Sequence, residues 1–451
     1  MAPRTDLTTG DVATHLTKQS IPMAWGVLAS MGMVLTDTWF VGQLGTDELA
    51  AIGFTIPIVS ILFGIGWGFG TSVSSIVGRA IGDGDDRLVK DYTTQSILLA
   101  LLVAFLFTGI GYSTADQVFG LLGAPDHLIP LIRDYMDIWF LGAFAVVVPQ
   151  VGNAAIRAAG NAKTPGRVMI GVAFLNVILD PIFIFGWFGF PRLELQGAAL
   201  ATVVAFAVSF SVSFFMLRFR LNFVTLTAVN GAILRNWVKV IGLALPAIGN
   251  NLVFPASAAV ATWLLASFGS DAVAGFNVAV RIEAVTMVPL TALTFALAAF
   301  SGQNFGAREF GRLREAIAVS YRFAWISGIA VALVSFLAAW LFVPFFTTDP
   351  EAMLAARYAL VIVSLSYPLL YVSMLVSAAC NGMGNTMPAL VISLGRLLVL
   401  FVPLALTLAA GIGLIGIFVA MVVSNLAIGL GSMSYMRHVL QRHDDEASVR
   451  A

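Results

Sequence analysis

The chain alternates between long apolar runs and short polar segments from one end to the other. Twelve runs contain about 20 or more predominantly apolar residues, and a helix of that length crosses a hydrocarbon core of roughly 30 Å. We number these predicted spans 1 to 12: 20–44, 50–78, 94–115, 131–155, 166–188, 196–218, 238–266, 275–300, 320–345, 357–380, 388–409 and 412–436. The pattern predicts an all-α polytopic membrane protein with twelve transmembrane helices.

Composition supports this class and narrows the chemistry. Of the 451 residues, 59% are hydrophobic and 11% are charged, whereas soluble domains carry roughly 25% charged residues. The net charge is zero, so we expect no nucleic-acid partner. Cys380 is the single cysteine, which excludes an intramolecular disulfide and a multi-cysteine metal site. We expect no cofactor.

The basic residues indicate how the chain is oriented. If the N-terminus is cytoplasmic, 19 of the 24 lysines and arginines fall in inner segments, and only Arg133, Arg192 and Arg357 fall in outer ones. Arg281 and Arg396 lie inside spans. Because cytoplasmic loops carry an excess of lysine and arginine, we expect both termini to be cytoplasmic. We also expect a multi-pass protein of the inner (plasma) membrane of a prokaryote.

Three segments recur in the same order about 224 positions later, which indicates an internal repeat. They pair DTWFVGQLGTDELAA (37–51) with ATWLLASFGSDAVAG (261–275), GRAIGDGDDRL (78–88) with GQNFGAREFGRL (302–313), and RAAGNAKTP (157–165) with NGMGNTMP (381–388). We therefore predict a first six-helix lobe at 1–218, a cytoplasmic linker at 219–237 and a second lobe at 238–451. Because six is even, the lobes form a parallel repeat, which suits alternating access. A duplication without rocking motion is the alternative.

Polar side chains interrupt three spans of the first lobe at a similar depth. Asp37 in span 1 lies roughly 12 Å below the outer end of its helix, and Asp180 in span 5 roughly 15 Å. Thr202 lies five residues past Gly197 in span 6, which enters the membrane from the outer side. Asn176 precedes Asp180 by four residues, so the two share a helix face. Ionisable residues inside membrane helices are functional candidates by default.

Pro181, directly after Asp180, adds to this chemistry. Proline has no N–H, so the carbonyl of Val177 loses its helical donor. A hard cation prefers carbonyl and carboxylate oxygens, and a buried carboxylate can instead take up a proton. Both interpretations predict that Asp37, Asn176, Asp180 and Thr202 form a cation-coupling site for H⁺ or Na⁺. The alternative is a hydrogen-bonded cluster that only holds helices together.

The second lobe lacks these acids. At the repeat offset, Asp37 corresponds to Ala261, and Asp180 falls near Pro403. The coupling chemistry is therefore predicted to reside in the first lobe alone. Glu283 in span 8 is the main acid of the second lobe and a secondary candidate for the cation site. We expect it to be structural or to pair with Arg396.

The chain resembles the multidrug and toxic compound extrusion (MATE) transporters. The matching motifs are Pro22 followed after fourteen residues by DTWFVGQLGTDELAA, then GNAKTP, NVILDPIFIFG, GAALAT and GQNFGA, spread over nearly the whole length. The resemblance implies two six-helix lobes that export large, cationic or amphipathic compounds in exchange for protons or sodium ions. It implies a transporter and not an enzyme.

The resemblance also assigns residues. The four residues of the predicted cation site match the first-lobe cation site of the family, and Tyr135 and Asn153 resemble polar residues that line the same cavity. Met33 and Met169 are adaptable side chains suited to a binding chamber, or ordinary packing residues. Another branch carries acids in helices 7 and 10. Phe254 stands at the first of these places and span 10 has no acid, so the chain resembles the branch named for the DNA-damage-inducible F protein.

These observations predict a monomeric, secondary active multidrug efflux antiporter, whose partners are small amphipathic molecules and the lipid bilayer. A lipid flippase of related architecture is the alternative. It would need a cavity lined by arginines, and only Arg281 and Arg396 lie well inside the spans, away from their ends. The two-lobe repeat disfavours a channel, which does not need paired lobes. The intramembrane acids disfavour a receptor or scaffold without transport activity, which does not need them. The sequence has no phosphate-binding loop or nucleophile–base pair that would indicate an enzyme or direct use of ATP.

Overall fold

The computed structural model describes residues 5–229 and 231–448, and these are almost entirely helical, without a β-strand. The α-helices are α1 Val12–Gly42, α2 Thr46–Gly82, α3 Asp86–Leu121, α4 Ile129–Leu141, α5 Ala143–Ala158, α6 Lys163–Phe185, α7 Glu194–Phe215, α8 Ile233–Ala266, α9 Ser270–Thr286, α10 Val288–Gly306, α11 Phe310–Leu341, α12 Val343–Phe346, α13 Pro350–Tyr358, α14 Tyr367–Met383, α15 Met387–Leu394, α16 Val402–Ile412 and α17 Leu414–Ser448. Short π-helical stretches extend α7 and α13 and join α15 to α16. Arg4 and Arg450, which contribute to the predicted orientation, lie outside the described residues.

Twelve membrane spans arise from single helices and bent pairs. In the part of the chain that the structure describes, nine helical segments are long and apolar enough to cross a bilayer, and three bent pairs bring the number to twelve. The pairs bend by 44° between α4 and α5, 49° between α9 and α10, and 63° between Val363 and Tyr367. Pro289 and Pro368 lie in the first turn after two of these bends, where proline is tolerated. The predicted fold class is confirmed.

Helix α3 begins well before the apolar run that predicts it. The run starts at residue 94, but the helix starts at Asp86. The preceding residue, Asp85, caps the helix, because its side chain accepts a hydrogen bond of 2.9 Å from the Leu88 amide. Hydropathy places the start too late because residues 86–93 (DRLVKDYT) contain four charged side chains. In the third turn, Gln95 donates to the Ala228 carbonyl at 2.7 Å and accepts from Asn236 at 2.9 Å.

The contacts divide the chain into two compact units. The first unit contains residues 5–6 and Ile21–Ile248, and the second contains Leu7–Ser20 and 249–448. The boundary falls inside α8, so α1 and α8 each contribute to both units. The division into lobes at 219–237 stays a prediction of where the two repeats join.

Each unit has its own apolar core. The first is built around fully buried side chains such as Ile132, Phe140 and Val151. The second is built around Phe300 and Phe418, with other large side chains of its helices. These cores fix the helices relative to their neighbours within each unit. The buried polar residues of the spans can therefore find hydrogen-bond partners on neighbouring helices.

The segment before the first span is bonded to the second unit. Arg312 of α11 donates to the carbonyls of Gly10 at 2.7 Å and of Leu7 and Thr9 at 3.1 Å. Asp11 caps α1 by accepting from the Thr14 amide at 2.7 Å, and hydrogen bonds from Thr14 lower the pKa of Asp11. The cap is therefore present at neutral pH and is lost only as the pH falls through this lowered pKa.

Candidate functional site

Helices α6 and α7 approach closely because small residues line their contact. A Cβ atom at Gly197 would collide with the backbone of Phe183. Ala198, Ala201 and Ala205 follow along α7 and are fully buried. Small side chains let two membrane helices come together. This approach brings the hydroxyl of Thr202 within reach of polar groups on α6.

Asn176 connects the polar residues of the two helices. Its Nδ2 donates to Asp180 Oδ1 at 3.2 Å and to Thr202 Oγ1 at 3.1 Å. The Thr202 hydroxyl in turn donates to the Ala198 carbonyl at 3.2 Å. Asn176 and Asp180 are fully buried, and Thr202 is nearly so. The α6 helix continues through Pro181, so the carbonyl of Val177 is left without its helical donor.

Asp37 of α1 lies beside this cluster. The ring centroids of Phe40 and Phe185 are 6.0 Å apart, so α1 and α6 run next to each other at this level. Asp37 and Asp180 are near enough to interact electrostatically, and both act on the hydroxyl of Tyr135. The structure thus brings the four predicted cation-site residues together, three through hydrogen bonds and Asp37 through proximity.

Three oxygens of this cluster are buried without a donor. They are Oδ1 of Asp37, Oδ1 of Asn176 and Oδ2 of Asp180, none of which has a hydrogen-bond partner among the described residues. A buried acceptor without a partner costs roughly 1–3 kcal/mol, so its presence calls for an explanation. Two carboxylates and an amide oxygen can bind a hard cation or share a proton. The donor set therefore fits either coupling ion.

Tyr135 lies near the acids of this cluster, and Asn153 belongs to another hydrogen bond of the same unit. Tyr135 on α4 is buried, with its ring centroid 6.1 Å from that of Trp139. Trp139 also meets Phe63 at 6.0 Å. Asn153 on α5 accepts from Ser213 at 2.8 Å and is not bonded to the four-residue cluster. The sequence motifs do not identify Trp139 as a neighbour of Tyr135, although its spacing of four from Tyr135 places both on one helix face.

The two methionines lie where α1 packs on its neighbours. Met33 is buried in a small cluster with Val172 and Ala205. Met169 lies against Gly26, where an added Cβ would come within 3.1 Å of its sulfur. Their assignment to a substrate cavity stays a prediction, and their contacts are those of helix packing.

Glu283 is bonded differently from what we expected. It accepts a hydrogen bond from the hydroxyl of Tyr367, while Arg396 donates to Asn425 at 3.2 Å and to Ser257 at 3.4 Å. Of the two expected roles of Glu283, the pairing with Arg396 is therefore not present among the described residues. The structural role stays a prediction.

A family model and known proteins match the chain along its length. The MatE family model matches residues 22–182 and again 246–407, and the two matches start 224 positions apart, like the repeat in the sequence. The chain is 33% identical to a protein of Shewanella oneidensis named FAD transporter, with 95% of each chain covered. It is 26% identical to YoeA of Bacillus subtilis, named a probable multidrug resistance protein, over 84% of this chain and 82% of that one.

Solved structures agree with these relatives. The Vibrio cholerae MATE transporter VcmN in the bent form is 30% identical to this chain and superposes with a TM-score of 0.91. The match covers 96% of this chain and 98% of VcmN. The MATE resemblance inferred from sequence motifs is thus confirmed. The chain belongs to the MatE family of multi-pass membrane transporters.

Proposed function

We propose that this chain is a secondary active antiporter that exports amphipathic or cationic organic compounds in exchange for H⁺ or Na⁺. The observation that carries the proposal is the group of three buried, unpaired oxygens on Asp37, Asn176 and Asp180. Two carboxylates in such a place favour uptake of a cation over simple helix packing. Relatives named as multidrug resistance or export proteins support the substrate class.

The cluster suggests how exchange is driven. A cation arriving from outside neutralises the Asp37–Asp180 pair, and α1, α6 and α7 then repack around it. This repacking of the first lobe releases the bound compound to the outside. After the lobes reorient, the cation leaves towards the cytoplasm and a new compound binds. Antiport requires that cation and compound bind with opposite effects on each other.

The proposal is tested by ethidium efflux from vesicles with separately imposed pH and sodium gradients. Collapse of the gradient that drives transport stops efflux and so identifies the ion. Asp37→Asn should abolish gradient-driven efflux while the protein remains folded, because the pair then loses a charge and a proton-accepting group. Asp47→Asn, an exposed acid of the same unit, is the matched control. Full efflux by the Asp37 variant would exclude this mechanism.

FAD export is a second candidate, favoured by the relative named FAD transporter. FAD is an anion, as is the headgroup expected for the flippase alternative. Arg281 and Arg396 are the arginines that lie well inside the predicted spans. Arg396 is already bonded to two side chains. Vesicles loaded with FAD, under the same gradients as ethidium, distinguish the candidates. Efflux of FAD without efflux of ethidium would replace the multidrug assignment.

We further propose that the protein acts as a monomer in the inner membrane, with its termini and the connection 219–237 in the cytoplasm. The distribution of lysine and arginine supports this orientation. Accessibility of cysteines introduced near each end to a membrane-impermeant thiol reagent tests it, after Cys380→Ala removes the native thiol.

A further inference from the structure

A cavity of about 160 Å³ lies in the second unit between α11 and α17. It lies away from the acids discussed above. Its polar lining consists of Arg314 and Tyr321 from α11 and Arg437 from α17, and its apolar lining includes Met433 and Leu440. Among the described residues that line it there is no carboxylate.

The lining follows helical spacing on both sides. On α11, Arg314 and Tyr321 are seven residues apart, and on α17, Met433, Arg437 and Leu440 follow at intervals of four and three. Residues at such intervals occupy one face of a helix. Two continuous faces therefore oppose each other, and each contributes an arginine to the same cavity.

The polar groups of this cavity are donors that suit an anion. The Tyr321 hydroxyl is buried and has no hydrogen-bond partner in the described part of the chain. Arg437 is exposed and acts electrostatically on that hydroxyl. Arginine binds phosphate oxygens through charge-assisted hydrogen bonds, and a tyrosine hydroxyl can donate one more.

The cavity lies at the expected membrane boundary. The apolar runs of spans 9 and 12 begin at residue 320 and end at 436, next to Tyr321 and Arg437. Both helices continue past this level, α11 from Phe310 and α17 to Ser448. The basic residues here belong to the segments predicted to be cytoplasmic, and tyrosine is enriched at membrane interfaces.

The two faces continue as exposed apolar surface towards the spans. Trp325, four residues after Tyr321, is 44% exposed, and Leu430, three residues before Met433, is 57% exposed. An anion with acyl chains can use this surface as well as the arginines. A free phosphate ion can use only the polar end.

We propose that this cavity binds an anionic phospholipid of the cytoplasmic leaflet. Its phosphate lies at Arg437 and the Tyr321 hydroxyl, and an acyl chain follows the apolar surface past Trp325 and Leu430. Basic pockets between membrane helices on the cytoplasmic side bind anionic headgroups in this way. Such a lipid would stabilise the packing of α11 on α17.

The test is thermal unfolding of the purified full chain in detergent with short-chain phosphatidylglycerol, phosphatidylcholine or inorganic phosphate. Phosphatidylglycerol should raise the Tm and the other two should not. Arg437→Gln should weaken the response to phosphatidylglycerol about tenfold in concentration, because one charged hydrogen bond is lost. Tyr321→Phe, which keeps the ring, should weaken it several-fold and covers the case in which the arginine variant does not fold.

Arg322→Gln is the matched control, an exposed arginine next to Tyr321 that does not line the cavity. It should respond like the wild type. An equal loss in this control would mean a diffuse surface charge effect. An equal Tm rise with inorganic phosphate would mean a free-anion site, and a wild-type response in both cavity variants would mean that lipid binds elsewhere. Each of these results overturns the proposal.

Discussion

At the scale of single residues, Asn176 organises the candidate cation site. Its amide nitrogen has two protons, and both are used, one by Asp180 and one by Thr202. Its own Oδ1 and the Oδ2 of Asp180 are both left without a donor among the described residues. A neutral residue thus determines which oxygens remain open to a cation.

The bond from Asn176 to Thr202 leads to a testable expectation. Thr202→Val keeps the size of the side chain but removes the acceptor, which costs about 1 kcal/mol and lets Asn176 turn. We expect the concentration of coupling ion required for half-maximal ethidium efflux to rise several-fold. Thr202→Ser keeps the hydroxyl and should restore the wild-type value. Equal behaviour of both variants would mean that the hydroxyl is not needed at the site.

At the scale of helices, the contact of α6 with α7 positions the site. It depends on the absence of a side chain at Gly197, where the backbone of Phe183 occupies the place of a Cβ. Gly171 of α6 differs from Gly197 in this respect. Gly171 of α6 has no atom within 4 Å of the place where its Cβ would lie.

Gly197→Ala should therefore destabilise the protein by about 1–3 kcal/mol, because the added methyl forces α6 and α7 apart. Gly171→Ala should leave stability unchanged or slightly raised, since alanine favours the helix. Thermal unfolding of the two purified variants in detergent gives the comparison. A Tm for Gly197→Ala equal to that of Gly171→Ala would show that the helices can separate at little cost.

The N-terminal segment offers a second expectation at this scale. Arg312 bonds to three backbone carbonyls of this segment, and hydrogen bonds from a charged group contribute roughly 1.5–3 kcal/mol each. Arg312→Ala should increase the hydrogen exchange of residues 7–20 at least tenfold. Arg322→Ala, an exposed arginine of the same helix, should not. Unchanged protection in the Arg312 variant would mean that the apolar contacts of Leu7 and Leu16, with the hydrogen bonds of Leu7 to Gln303 and Asn304, are enough to hold the segment.

At the scale of the whole molecule, the two units share a repeat but differ in chemistry. The first contains paired acids with unpaired oxygens, and the second contains Glu283 bonded to Tyr367. Tyr371 stacks on Tyr367 with centroids 5.8 Å apart, and its buried hydroxyl has no partner among the described residues. This asymmetry predicts that ion coupling depends on the first unit and stability on the second.

Tyr367→Phe tests the asymmetry, because it leaves a buried carboxylate without its donor and should lower stability by about 1–3 kcal/mol. Tyr371→Phe removes a hydroxyl that has no partner and should be neutral or stabilising. Neither should change the ion dependence of efflux per folded molecule. A changed ion dependence in Tyr367→Phe alone would instead assign Glu283 to the coupling chemistry.

The sequence by itself determined the membrane class, the twelve spans, the repeat and the four residues of the candidate site. Transfer free energy belongs to each residue and its neighbours along the chain, so hydropathy reveals spans, and the exceptional polar residues inside them, without a structure. The motif spacing identified the family for the same reason, since it is a property of the chain order.

Only the tertiary structure decided which polar groups meet. Three features depend on contacts between segments far apart in sequence. They are Asn176 as the shared donor, Tyr367 as the partner of Glu283, and the hydrogen bonds of Arg312 to the segment before α1. The hydrogen bonds of Gln95 in α3 likewise depend on Ala228 and Asn236, more than 100 residues away. Helix packing sets these contacts through small residues and bends, and a pattern along one chain segment contains no information about its neighbours in space.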